Sequence, residues 1–176
     1  MEIVSIPLSG ALKHNDSTGR EKVINHGDVQ IMSAGSGIQH SEYNNSKTEP
    51  VKFLQIWVFP KKKDIEPRYE QKSFNEADKT NQFLTVVSPE ENAKSIWINQ
   101  DAYFSMANLD ANFNLDYTLK NPNHGIYAFV LEGNVDVAGK TLGERDALGV
   151  YETDKVSFKA NSDAKILVIE VPMTFD

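Results

Sequence analysis

His40 and Glu42 stand two residues apart within residues 25–44, NHGDVQIMSAGSGIQHSEYN. In an extended chain this spacing sends both side chains from one face and Ser41 from the other, so an imidazole and a carboxylate can converge on one ion. That donor pair suits a first-row divalent metal (Fe, Mn, Ni, Cu or Zn) and leaves coordination positions open for a substrate. The glycines around the pair supply the bends it needs. Gly27 and Asp28 predict a turn into a strand over 29–34, and Gly35 and Gly37 permit a tight corner before a strand over 38–43. The chain has no cysteine, so zinc ribbons, iron–sulfur clusters and thiolate nucleophiles are excluded. The run AGSGIQH (34–40) lacks the following helix that a phosphate cradle requires, and neither GxSxG nor HExxH occurs. Three other histidines remain: His14 reads as a turn residue at a pocket rim or in a structural role, His26 as solvent-exposed, and His124 as a loop residue.

The elements that must position such a pair are strands. With 40% hydrophobic and 24% charged residues over 176 positions, the chain has the composition of a soluble globular protein able to bury a core. Its net charge of −7 argues against nucleic acid or anionic lipid as partners. No basic leader followed by an apolar core opens the sequence, and no apolar run approaches a membrane span, so a cytoplasmic location is expected. Short runs rich in Val, Ile, Phe, Trp and Tyr, bounded by Gly, Asn, Asp or Pro, predict strands over 3–8, 29–34, 38–43, 51–59, 83–88, 95–98, 103–109, 113–119, 126–131, 135–137, 156–159 and 165–171. Helix is limited to single turns over 75–81 and 89–94. The aromatic residues Trp57, Trp97, Phe59, Phe104, Phe113 and Phe129 are expected in cores or between lobes. Two lobes are suggested by a weak repeat, in which Gly10 and Gly133 each separate two strand-like runs and are followed by a turn-like Asp, Asp28 or Asp146. The polar stretch from Lys61 to Thr80 reads as the connection, with Lys61–Lys63 as a solvated strand end.

Several of these segments together resemble the pirin family: the first strand with Gly10, HNDSTG (14–19), GDVQIMSAGSGIQHSE (27–42) and LQIWV (54–58). The resemblance implies an all-β bicupin of two jelly-roll lobes, one metal ion being held in the first lobe by three histidines and a glutamate. It assigns two of those ligands to His40 and Glu42. The family's other two, from an HPH motif, fall before Met1, so the chain reads as truncated and its first lobe as incomplete. The organisation expected is a partial N-terminal lobe (1–62), a connection (63–80) and a C-terminal lobe without a metal motif (81–176), in which Glu170 stands isolated on an apolar strand. The activity implied is that of a metal-dependent quercetin 2,3-dioxygenase acting on a flavonol-like aromatic, with Glu42 also serving as base. Half a ligand set is not expected to sustain it. The alternative is a non-catalytic pirin-like binding or regulatory scaffold. Loss of the first strands would expose Ile3, Val4 and Ile6 and favour a homodimer.

Overall fold

The computed structural model describes residues 1–91 and 94–174, and they form an all-β protein of two compact units. The first comprises Met1–Asn75 with Pro89–Gln100, the second Glu76–Ser88 with Asp101–Asp176. The Met1–Asn75 part of the first carries β1 (Glu2–Ser9), β2 (Ala11–Asp16), β3 (Glu21–Asn25), β4 (Asp28–Ser33), β5 (His40–Asn44), β6 (Lys52–Val58) and β7 (Arg68–Ser73). They make an antiparallel sheet in the order β6-β1-β4-β7 and another in the order β3-β2-β5. In the second unit β8 (Leu84–Ser88) follows one 3-10 turn at Glu76–Lys79. The short β9 (Ile96–Trp97) lies on the 89–100 segment of the first unit, and the second continues through β10 (Tyr103–Leu109), β11 (Asn114–Thr118), β12 (His124–Glu132), β13 (Val135–Val137), β14 (Lys140–Leu142), β15 (Ala147–Val150), β16 (Lys155–Ala160) and β17 (Ala164–Pro172). Here one sheet carries the order β15-β12-β17-β10-β8 and the other β11-β16-β13-β14. Its core includes Leu109, Ile126, Val130, Val137, Phe158, Ile166 and Val168, all buried. Phe83 meets Tyr117 and Phe158 edge-on at 5.0 and 5.4 Å between ring centroids.

Several expectations need correction. Residues 63–80 are not a bare connection, because β7 pairs with β4 from Asp28↔Ser73 to Ser33↔Arg68. Its sequence, RYEQKS, is polar because it closes an edge of the sheet, where charged side chains are tolerated. The first strand is not an edge: β1 lies between β4 and β6, so Ile3, Val4 and Ile6 are buried and the reason for a homodimer falls away. Trp57 and Phe59 are exposed rather than core residues, and Phe113 lies at the margin of exposure, whereas Phe104 is fully buried. Part of 89–94 lies outside the described residues, while the turn expected within 75–81 forms at Glu76–Lys79.

The weak repeat corresponds to a physical device present in both units. Gly10 and Gly133 have φ of 73° and 84°, a region that favours glycine, and an added Cβ would stand 2.6 Å from the Pro50 carbonyl oxygen and 2.2 Å from that of Asp163. The Asp that follows clamps the next corner the same way in each: Asp28 Oδ2 accepts the Asn25 amide at 2.8 Å, and Asp146 Oδ2 the Gly143 amide at 3.0 Å. Gly133→Ala therefore combines backbone strain with a clash against main chain and is expected to cost about 2 kcal/mol or more. Gly139, at φ 77° with nothing within 4 Å, supplies the control. Its alanine variant carries only the strain of a left-handed residue, about 1 kcal/mol. Urea denaturation of both checks the difference; equal losses would mean that the Asp163 carbonyl gives way.

Candidate functional site

The first unit places His40 and Glu42 on one face. β2 and β5 pair as His14↔Glu42 and Asp16↔His40, so these four side chains share a side of the three-stranded sheet. Across the four-stranded sheet, the registers Gln55↔Ser5, Ser5↔Gln30 and Gln30↔Gln71 set four polar side chains in one row. Glu42 joins the two sheets. Ser5 Oγ donates to its Oε1 at 3.1 Å, and Gln55 Nε2 to its Oε2 at 2.5 Å. Gln55 is itself held by Trp57, whose Nε1 donates to Oε1 at 3.2 Å.

His14 is not at a rim or in a turn: it lies on β2 and is completely buried. Its Nε2 stands 3.1 Å from Asp16 Oδ2, its ring stacks on His40 at 5.8 Å, and the Tyr69 ring lies 5.1 Å away. Arg20 reaches the same carboxylate at 3.1 Å and lies over Tyr69, 5.0 Å from the ring centroid. Burial alone would raise the Asp16 carboxyl, but hydrogen bonds with Thr18, His14 and Arg20 outweigh it and hold the group well below the usual carboxylate range. Burial pushes the Tyr69 phenol up against the opposing pull of Arg20, so it stays protonated and donates to Gln71 Oε1 at 2.7 Å.

The sign of the Asp16 effect follows from its lowered value. Its stabilising contribution is complete above the unfolded pKa of about 3.9 and is lost as pH falls toward the folded value. Asp16→Asn is expected to cost about 2 kcal/mol at pH 7, with the gap to wild type narrowing below about pH 4. Denaturant titrations at pH 7 and 3 measure this; a gap unchanged with pH would remove the charged carboxylate as its source.

His40 and Glu42 are both half-buried, and β5 is an edge strand, so this face opens to solvent beside them. As a metal centre the face is incomplete. His14 Nε2 is engaged by Asp16 and both Glu42 oxygens accept hydrogen bonds. Among the described residues no group of three or more His, Cys, Asp or Glu side chains is placed to hold an ion. The residues present do not fit a preorganised transition-metal centre, which calls for four to six donors.

Residues 1–58 match the family model for pirin, and residues 85–171 match that for the quercetinase C-terminal cupin domain. A quercetin 2,3-dioxygenase of Escherichia coli K12 is 34% identical over 172 residues, covering 98% of this chain and 73% of that protein. The chain belongs to the pirin family. A pirin-like protein of Caulobacter vibrioides is likewise 34% identical, over 97% of this chain and 73% of its own length. Among solved structures, the bacterial pirin YhhW of Escherichia coli in complex with nickel(II) superposes with a TM-score of 0.91 at 32% identity, covering 99% of this chain and 73% of that one. The cupin-type jelly-roll fold expected from the motifs agrees with these pirin relatives.

The second unit of this pirin holds a cluster that sequence reasoning missed. Glu170 is fully buried and far from isolated: it accepts from Tyr117 Oη at 2.9 Å and from the backbone amides of Lys120 at 2.8 Å and Asn121 at 3.1 Å. His124 Nδ1 lies 3.0 Å from the same carboxylate, so this histidine is a buried strand residue rather than a loop residue. Burial and the adjacent Glu170 charge push the Tyr117 phenol above its ordinary value, which keeps it a donor. His26 is exposed, as expected. Of the first-unit residues, sequence reasoning also misses Ser5, Gln30 and Gln55; for Ser5 the available signal is a polar side chain within the apolar run IVSIPL, whereas Gln55 is exposed on an edge strand and offers none.

Proposed function

We propose that this chain is a quercetinase-related pirin in which His40 and Glu42 form the metal-facing pair, with Glu42 also able to take a proton from a substrate hydroxyl. The observation that carries the reading is the shared inner face of His40, Glu42 and buried His14, with Glu42 fixed by Ser5 and Gln55. The cation would be a divalent first-row metal (Fe, Mn, Ni, Cu or Zn), for which the nickel(II) complex of YhhW is the support. The partner is a small flavonol-like aromatic rather than nucleic acid or membrane lipid, in keeping with the net charge of −7. No helix among the described residues is long and apolar enough to cross a membrane, and we take the protein to be cytoplasmic. The first unit acts as the ligand-facing lobe and the second as a structural one.

A second reading is favoured by the same geometry: with no group of three ligating side chains placed to hold an ion among the described residues, the chain binds a hydroxylated aromatic without oxidising it. Quercetin consumption by the purified chain, with each divalent metal added in turn, separates the two. Turnover matching that of the longer Escherichia coli dioxygenase supports the oxygenase. Binding without turnover supports the scaffold, and neither binding nor turnover removes both.

A further inference from the structure

Gln30 is 1% exposed, yet neither its amide nitrogen nor its amide oxygen has a hydrogen-bond partner. Its neighbours in the row are committed elsewhere: Ser5 donates to Glu42, and Gln71 Nε2 donates to Asp28 Oδ2 at 2.9 Å and to the Val23 carbonyl at 3.0 Å. A second orphan stands opposite. With His14 Nε2 directed at Asp16, its Nδ1 is buried and unpartnered. Contacts that join the sheets relate the two. β5 is tied to β1 and β6 through Glu42, β3 is tied to β7 through Val23, and Tyr69, whose ring lies 5.1 Å from His14, donates its hydroxyl to Gln71, the register partner of Gln30, so His14 faces the part of the row that holds Gln30.

Buried polar groups are almost always hydrogen-bonded, so an amide with both ends unpaired and an unpaired imidazole nitrogen on the facing sheet call for a polar guest. A hydroxyl group matches it. It can donate to Gln30 Oε1 or His14 Nδ1 while accepting from Gln30 Nε2. We propose that Gln30 and His14 form a hydroxyl-binding subsite on the floor of the first unit, inward of Glu42, which recognises a small hydroxylated aromatic and determines specificity for it. The inference deepens the proposed function, on whose ligand-binding half it rests, and requires neither a metal nor turnover.

The probe is catechol, titrated calorimetrically into the full chain and its Gln30→Met variant, with thermal unfolding of both. Catechol is expected to bind wild type and to bind Gln30→Met at least about tenfold more weakly, while the unfolding midpoint of the variant is equal or higher because an unpaired amide has been replaced by an apolar chain of similar shape. In the wild type, catechol should also shift the side-chain amide resonance of Gln30, a readout that does not depend on the variant folding. Equal affinity in the two proteins, an unmoved Gln30 resonance, or no catechol binding to wild type would overturn the proposal, the last being the outcome if buried water alone satisfies the floor. Failure of the oxygenase reading leaves no such signature, since it would appear as catechol binding without quercetin turnover.

Discussion

Glu170→Leu is expected to destabilise the second unit by about 3–5 kcal/mol, the usual loss when one member of a buried polar cluster is removed. The substitution keeps the strand and its apolar neighbours but strips the acceptor from the Tyr117 hydroxyl, His124 Nδ1 and the amides of Lys120 and Asn121. Leucine cannot accept, and each stranded donor carries a desolvation penalty of about 1–3 kcal/mol where water cannot reach it. Part of that is recovered as the 119–123 segment moves to meet solvent. Glu170→Gln retains one acceptor oxygen and should fall between the two. Thermal unfolding is the direct measurement, with a drop of roughly 10 °C for the leucine variant; a drop within 2 °C would mean that the carboxylate is dispensable.

The second large effect concerns His40. Nickel(II) titrated into the wild-type chain is expected to bind with a Kd of roughly 10 µM to 1 mM, about −4 to −7 kcal/mol, because the proposed pair of donors would leave most of the coordination sphere to water. On the proposed reading His40→Ala removes a nitrogen donor and should weaken binding by more than about 100-fold, beyond what losing an outer-shell partner costs. Since His40 is half-exposed at an edge strand, stability should change by no more than about 0.5 kcal/mol. Glu42→Gln should weaken nickel(II) binding comparably but also lower stability by about 1 kcal/mol, through its contacts with Ser5 and Gln55. Calorimetry with unfolding controls decides. Unchanged nickel(II) affinity in His40→Ala would place the ion elsewhere.

The strands that sequence reasoning recovers are those whose own residues announce them, such as YFSMANL in β10 and AKILVIEVP in β17. ALKHND, EKVIN and RYEQKS are too polar to be read that way. They are strands because a partner in register supplies the other half of each ladder, and that partner is not local. The candidate site divides along the same line. A spacing of two residues puts His40 and Glu42 on one face, and local geometry is enough to say so. The row Gln55, Ser5, Gln30 and Gln71 exists only through three inter-strand registers joining distant parts of the chain. Glu170 reads as isolated in the sequence for a related reason: its strand alternates like a buried one, but the donors that make a buried carboxylate tolerable arrive from Tyr117, Lys120, Asn121 and His124.

Both units use a left-handed glycine followed by an Asp that grips an amide three residues earlier. The first unit sets Gln30 and His14 within an aliphatic interior, the second a carboxylate clamped by Tyr117, His124 and two amides, and the same corner chemistry serves both. Substitutions in either interior can therefore change what that unit holds without touching the corners that shape it.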